Sequence, residues 1–145
     1  MAKFALDTNV LIDALNLPHR REALLGFLRW ALPTTHLSSV VVLEVTAGAA
    51  SRRQQALLDQ QIVGPFLQRG RVFAPSITAW LQAGRALARG HRIATAAALN
   101  DLLLATSCRE AGLTLVTSDA GLGRLTKLIP GLSVAQPFPK PPTRS

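Results

Sequence analysis

Short unbroken apolar runs alternate along this chain with stretches whose apolar positions recur every three or four residues, the pattern of strands interleaved with helices. Phe4-Ala5-Leu6 is the first such run. It stops at Asp7, and after Thr8-Asn9 an apolar pattern of longer period resumes at Val10-Leu11-Ile12, so a strand ending at Asp7 and a helix opening near Thr8 or Asn9 are expected. Pro18-His19 breaks the pattern; Ala23, Leu24, Phe27 and Leu28 then mark one face of a surface helix from Arg20 to Trp30, which Pro33 ends. Thr35 to Ser38 reads as a short strand. Val40-Val41-Val42 favours strand by propensity, yet the Ser38-Ser39 cap, the length and the Ala-Gly-Ala-Ala ending select a helix from Ser39 to about Ala50.

The second half repeats the alternation. Arg52 to Gln61 is polar and helical, Gly64-Pro65 is punctuation, and Arg71 to Ala74 is a strand. Pro75-Ser76 opens a helix to about Arg89, Gly90-His91-Arg92 forms a loop, and Thr95 to Glu110 is a long helix ended by Gly112. Leu113 to Thr117 is the clearest strand; a helical turn over 120–128 and a last strand at Leu132 to Ala135 follow. Strands joined by helical crossovers imply a parallel sheet covered on both faces, hence an α/β fold. Residues 1–136 form the expected domain. Residues 137–145, with four prolines, form an expected flexible tail that does not pack.

Composition narrows the class. A chain of 145 residues, nearly half of them apolar, is long enough to bury a core, and its mean hydropathy is positive. Charges at Glu44 and at Asn100-Asp101 interrupt the longest apolar stretches, so no membrane span is expected, and Asp7 and Asp13 break any secretory signal. One cysteine, Cys108, rules out an internal disulfide framework and fits a reducing cytosol, so a cytoplasmic location is expected. Sixteen Lys and Arg, thirteen of them Arg, face eight acids and are spread along the chain. Such a surface attracts polyanions, nucleic acid first, with an acidic protein or an anionic membrane surface as the alternative. The few aromatics, none of them Tyr, argue against a stacking platform for bases.

Four of the eight acids occupy positions that solvation does not explain. Asp7 and Asp119 each close an apolar strand, and strand carboxyl ends are where ligands gather in open parallel sheets. Asp is also a favoured helix N-cap, and on its own stretch alone capping explains Asp7. Glu44 stands among Val40, Val41, Ala47 and Gly48, and Asp101 among Ala97, Ala98, Leu104 and Ala105, at the spacings of one helix face. An ionised carboxylate on such a face requires a cation, a metal or a hydrogen-bond network; for Asp101 an Arg partner is the simplest alternative. Converging carboxylates repel unless a cation neutralises them, and hard oxygen donors select Mg²⁺ or Mn²⁺. Such a site activates water for displacement at phosphorus. Asp13, Glu22, Asp59 and Glu110 sit in ordinary polar contexts. Without the four site acids the remaining groups sum to twelve positive charges, and an acidic pocket in a basic surface suits a nuclease.

These residues resemble the PIN-domain superfamily, and within it the VapC-type ribonuclease toxins. The resemblance rests on Leu6-Asp7-Thr8-Asn9-Val10-Leu11-Ile12-Asp13, Ser38-Ser39-Val40-Val41-Val42-Leu43-Glu44, Leu99-Asn100-Asp101-Leu102-Leu103-Leu104-Ala105-Thr106 and Leu115-Val116-Thr117-Ser118-Asp119, four motifs in family order across Ala2 to Gln136. It implies a three-layer α/β/α sandwich with a central parallel sheet, and Mg²⁺- or Mn²⁺-dependent cleavage of RNA. It further implies an antitoxin protein as partner, a homodimer, and Asp7, Glu44, Asp101 and Asp119 as catalytic metal ligands. Asn9 and Thr117 take supporting roles, holding water or orienting a carboxylate. Many relatives read Ala-Leu-Ile-Ala after the third acid where this chain has Leu102-Leu103-Leu104-Ala105, an apolar change that leaves the acids intact.

Other classes share parts of this pattern. Receiver and dehalogenase-like phosphotransfer domains also place Asp at strand ends, but want a second Asp where this chain has Asn9, or a Lys near the last strands, where only Lys127 stands between Lys3 and Lys140. A PIN nuclease of RNA processing, a non-catalytic RNA-binding PIN domain and a flap-DNA nuclease are the remaining alternatives. His19, His36 and His91 stand alone and read as surface or capping residues, and Cys108 as a small core residue.

Overall fold

The computed structural model describes residues 2–90, 96–119 and 122–143. Five parallel strands, β1 (Phe4–Leu6), β2 (Thr35–Ser38), β3 (Val72–Phe73), β4 (Thr114–Val116) and β5 (Ser133–Ala135), lie in the order β3-β2-β1-β4-β5. All three residues of β1 are buried although successive side chains point to opposite faces, so both faces of the sheet centre are covered. The covering layers are α1 (Thr8–Asn16), α2 (Pro18–Ala31), α3 (Ser39–Gly48), α4 (Arg52–Leu57), α5 (Gly64–Gln68), α6 (Ile77–Gly90), α7 (Ala96–Ala111) and α8 (Leu122–Leu128). The result is a three-layer α/β/α sandwich, as the alternation of periods predicts.

Chain order and strand order together locate the crevice. From β1 the chain moves out through β2 to β3 on one side, and later returns to the other side of β1 as β4 and then β5. The carboxyl ends of β1 and β4 therefore flank the point where the winding reverses, the place where open α/β sheets bind ligands.

Local chemistry fixes the elements that carry the candidate residues. Ser38 caps α3, its hydroxyl accepting the Val40 N–H at 3.2 Å. Gly48 at the end of α3 has no side chain to collide with Ile12 of α1, whose Cδ1 would lie 2.8 Å from a Cβ there. Thr8 and Glu44 stand one turn earlier on the same two helices, so α1 and α3 run parallel and meet along a close seam. Residues 102–108 of α7 are all buried, a helix enclosed all round. Gly112 ends it in the left-handed region (φ +69°), where its N–H reaches the Arg109 carbonyl and the Leu113 N–H the Cys108 carbonyl. This Schellman turn feeds directly into β4.

The structure departs from the expected pattern at several points. The second helix begins at Pro18, whose ring suits the first helical turn. Arg52 to Gln61 is not one regular helix: α4 widens into a π-helical turn over Leu58–Ile62, with the Val63 N–H on the Leu58 carbonyl at 2.7 Å. Gly64-Pro65 opens α5 directly after it. The tail packs at its start, because the Phe138 ring stacks on Phe27 with centroids 5.2 Å apart. Apolar area there outweighs the stiffness of the flanking prolines. The expected loop falls on residues 91 and 92 outside the described residues, as do residues 120 and 121 of the expected turn.

Gly64 is required by close approach: a Cβ there would stand 1.9 Å from the Asp59 carbonyl oxygen, a backbone atom of the π turn. Gly64→Ala is expected to destabilise the fold by about 3 kcal/mol, since backbone rather than a side chain must shift. Urea unfolding at neutral pH checks this, and a variant within about 0.5 kcal/mol of wild type would show that the π turn opens freely.

Candidate functional site

Asp7 follows the last residue of the central strand and opens α1, so its carboxylate serves both sides of the junction. Oδ1 accepts the Thr8 N–H at 2.7 Å, and Oδ2 accepts the Thr117 hydroxyl at 2.8 Å. The Asp7 N–H itself continues the sheet to the Val116 carbonyl at 2.9 Å. Capping and site chemistry are thus not alternatives for Asp7; the cap is what aims the carboxylate across the crevice.

The partners of that carboxylate form a closed network. Thr117, buried, gives its one hydroxyl proton to Asp7 and accepts from Asn9 Nδ2 and from the Asp119 N–H, both at 3.1 Å. Its hydrogen-bonding capacity is then full. Asn9 presents its other end to the loop after β4: its Oδ1 accepts both the Ser118 N–H (3.2 Å) and the Ser118 hydroxyl (3.1 Å). The first turn of α1 and the loop leaving β4 are in this way laced across the winding reversal.

Glu44 reaches the same edge from α3. Its Oε1 accepts the Thr8 hydroxyl at 3.0 Å, a contact that the α1–α3 seam makes possible. Asp119 lies three residues beyond β4 and is exposed, whereas Asp101 is half-buried on α7. No basic side chain pairs with Asp7, Glu44 or Asp101 among the described residues, so the Arg partner considered for Asp101 is not found there.

Charge ties the four acids together. The Asp101 carboxyl is pushed up to about 6, first by burial and then by the negative charges of Asp7, Glu44 and Asp119. Asp7 is also raised above the ordinary carboxylate value, chiefly by burial; the bonds from Thr117 and Thr8 oppose the rise, and Glu44 and Asp119 add to it. Burial with Asp7 nearby likewise holds the Cys108 thiol up at about 12, an inert core residue as expected. Among the described residues no three His, Cys, Asp or Glu side chains stand close enough to hold a metal ion between them directly. The acids are therefore neighbours through their fields, spaced more widely than a dry metal cage.

The donor set still suits a particular ion. All four groups are hard oxygen donors, and the Asp7 and Glu44 carboxylates are oriented by hydrogen bonds that leave lone pairs unused. A divalent cation that keeps much of its water shell fits widely spaced carboxylates, as Mg²⁺ and Mn²⁺ do.

Two residues at this edge were not singled out by sequence. Thr8 reads as an ordinary first-turn residue, and only the packing of α3 shows that its hydroxyl holds Glu44. Ser118, between two residues that were singled out, gains its role through Asn9. Of the histidines, His19 is an exposed residue of α2. His36, expected as a surface or capping residue, is instead a half-buried residue within β2 whose Nδ1 has no hydrogen-bond partner. His91 lies outside the described residues.

A family model described as PIN domain matches residues 4–128. Among solved structures, FitAcB from Neisseria gonorrhoeae is similar at 21% identity and a TM-score of 0.67, over 92% of this chain and 97% of that one. DNA-bound VapBC from Salmonella typhimurium is similar at 26% identity and a TM-score of 0.67, over 94% of this chain and 98% of that one. A toxin-antitoxin complex from Klebsiella pneumoniae is similar at 20% identity and a TM-score of 0.65, over 94% and 98% of the two chains. No curated protein sequence matches.

The raised Asp101 value has a measurable sign. With the folded value near 6 and the ordinary value 3.8, the folded protein holds the proton more tightly, so metal-free stability from this group falls as pH rises between the two. His36 is shifted downward by burial, Arg71 and Lys3, and acts in the opposite direction, so wild type is best compared with Asp101→Asn. In chelator, the two melting temperatures are expected to lie close near pH 4, to separate as pH rises from there to about 6, and to keep that separation above it, Asp101→Asn being the more stable. A constant difference across that range would place Asp101 outside the field of the other acids.

Proposed function

This chain belongs to the PIN-domain family, and we propose that it is a metal-dependent endoribonuclease, the toxin of a toxin-antitoxin pair. The observation that carries the nuclease reading is the gathering of Asp7, Glu44, Asp101 and Asp119 at one edge, where burial first and the charges of the other three acids next push Asp101 up to about 6 and no basic side chain pairs with it among the described residues. A metal cation is the counter-charge that such an edge calls for. The toxin reading is supported by the likeness to chains of VapBC and of a toxin-antitoxin complex. It brings with it an antitoxin protein as partner. RNA as substrate and a homodimer are part of the same proposal; the strongly basic remainder of the chain favours a polyanionic substrate.

In this reading Asp7, Glu44, Asp101 and Asp119 would hold Mg²⁺ or Mn²⁺, in part through the ion's own water shell. The bound cation supplies charge neutralisation at the scissile phosphate and a water of lowered pKa. The chain's own residues do the positioning. Thr117 and the Thr8 N–H fix the Asp7 carboxylate from two sides, and the Thr8 hydroxyl fixes Glu44. Asn9 keeps the loop bearing Asp119 against α1 through its bonds to Ser118. Asp101, pushed up to about 6 by burial and by its acidic neighbours, is more basic than an ordinary carboxylate.

Purified protein is expected to cleave single-stranded RNA with Mg²⁺ or Mn²⁺ and to lose activity in chelator. Asp7→Asn and Asp101→Asn should lower the rate by about a hundred-fold or more while leaving a cooperative thermal transition. Thr8→Val, acting only through Glu44, should cost about ten-fold. Full activity of either Asp variant, or unchanged cleavage in chelator, would overturn the metal assignment.

The toxin role is tested separately. Induced expression of wild type in a bacterial host should arrest growth, and Asp7→Asn should not. A harmless wild type that cleaves RNA in vitro would assign the chain to RNA processing instead.

A further inference from the structure

The end of the sheet opposite the acids carries a second charged cluster. His36 pairs in register with Ala5 of β1, and Leu37 with Val72 of β3, which sets Arg71 beside His36. Lys3 precedes Ala5 by two residues, so alternation along the strands puts Lys3, His36 and Arg71 on one face of the sheet. Lys3 and His36 line a cavity of about 210 Å³ with Phe73, Ala111 and Leu113.

Two observations say that this cluster lacks a counterpart. His36 Nδ1 and Arg71 Nε are both buried and have no hydrogen-bond partner. Buried polar atoms without partners are rare in native proteins and mark places where a water or an ion completes the structure. The fields of Arg71 and Lys3 act on His36 in the same direction as its burial, disfavouring a positive imidazole, and no acid among the described residues offsets them. A dipolar water would satisfy the geometry but not the charge.

We propose that Lys3, His36 and Arg71 form an anion site that takes a phosphate group, at the end of the sheet opposite the acidic edge. Guanidinium and ammonium groups recognise phosphate oxygens through charge-assisted hydrogen bonds, and a neutral imidazole donates one more. Phe73, Ala111 and Leu113 form the apolar wall of the cavity beside Lys3 and His36, and Arg71 adjoins His36 across the strands. The phosphate is either a free or terminal monoester, or a diester of a nucleic-acid backbone. Both share the oxygens that the site reads.

Calorimetric titration in chelator, at constant ionic strength, tests the site without the metal chemistry. Inorganic phosphate, adenosine 5′-monophosphate and a short RNA lacking terminal phosphates are titrated in turn. Saturable binding of at least one is expected, weakened about ten-fold or more by Arg71→Gln and by His36→Asn. Binding of the first two assigns a monoester site, and of the RNA alone a backbone site. Lys3→Gln, an exposed position, reports in the same way should Arg71→Gln fail to fold. Titrations that show no saturable binding, or binding indifferent to these residues, would overturn the proposal. Loss of RNA cleavage bears only on the acidic edge and leaves this result readable.

Discussion

The bond from Thr117 to Asp7 holds the functional edge together. It joins residues 110 positions apart, across the point where the winding of the sheet reverses, and it uses the only proton that the Thr117 hydroxyl has. Because that hydroxyl also accepts from Asn9 and from the Asp119 backbone, one buried side chain sets the mutual placement of β1, α1 and the loop after β4. A carboxylate left at this depth without such donors would be expensive to ionise. The network lowers the cost for Asp7 without removing it, and Asp7 stays above the ordinary carboxylate range.

That residual cost is concentrated where chemistry is proposed. Elsewhere the core is ordinary: apolar strands and helices enclose one another, and aromatic rings of Phe4, Phe27 and Trp30 meet edge to face. At the acidic edge, by contrast, like charges face each other without a basic partner for Asp7, Glu44 or Asp101 among the described residues. An arrangement of this kind lowers the stability of the empty protein and is relieved by a bound cation, so the site and its proposed ligand are linked thermodynamically.

Much of this was legible in the residues themselves. The strand ending at Leu6 and the cap at Asp7 follow from an apolar run meeting a carboxylate. Ser38-Ser39 outweighed the strand preference of three valines because a capped helix satisfies backbone donors that propensity ignores. Glu44 and Asp101 stood out as charges on apolar helical faces. What escaped notice depended on distance in sequence. Thr8 acquires its role from a helix 36 residues away, and His36 from a strand neighbour that no local pattern identifies. The π turn at Leu58–Ile62 and the packing of Phe138 are likewise products of tertiary contact.

The Schellman turn at Gly112 has a mechanical meaning for the quartet. By fastening the end of α7 to the start of β4, it ties the helix that carries Asp101 to the strand that Asp119 follows. The seam of α1 and α3 does the same for Asp7 and Glu44. These two pieces already meet as the paired strands β1 and β4, and the bonds of Thr117 and of Asn9 fasten them again at the acidic edge. Asp7 and Asp119 thus follow neighbouring strands, and a change at either reaches the other through the sheet as well as through Thr117.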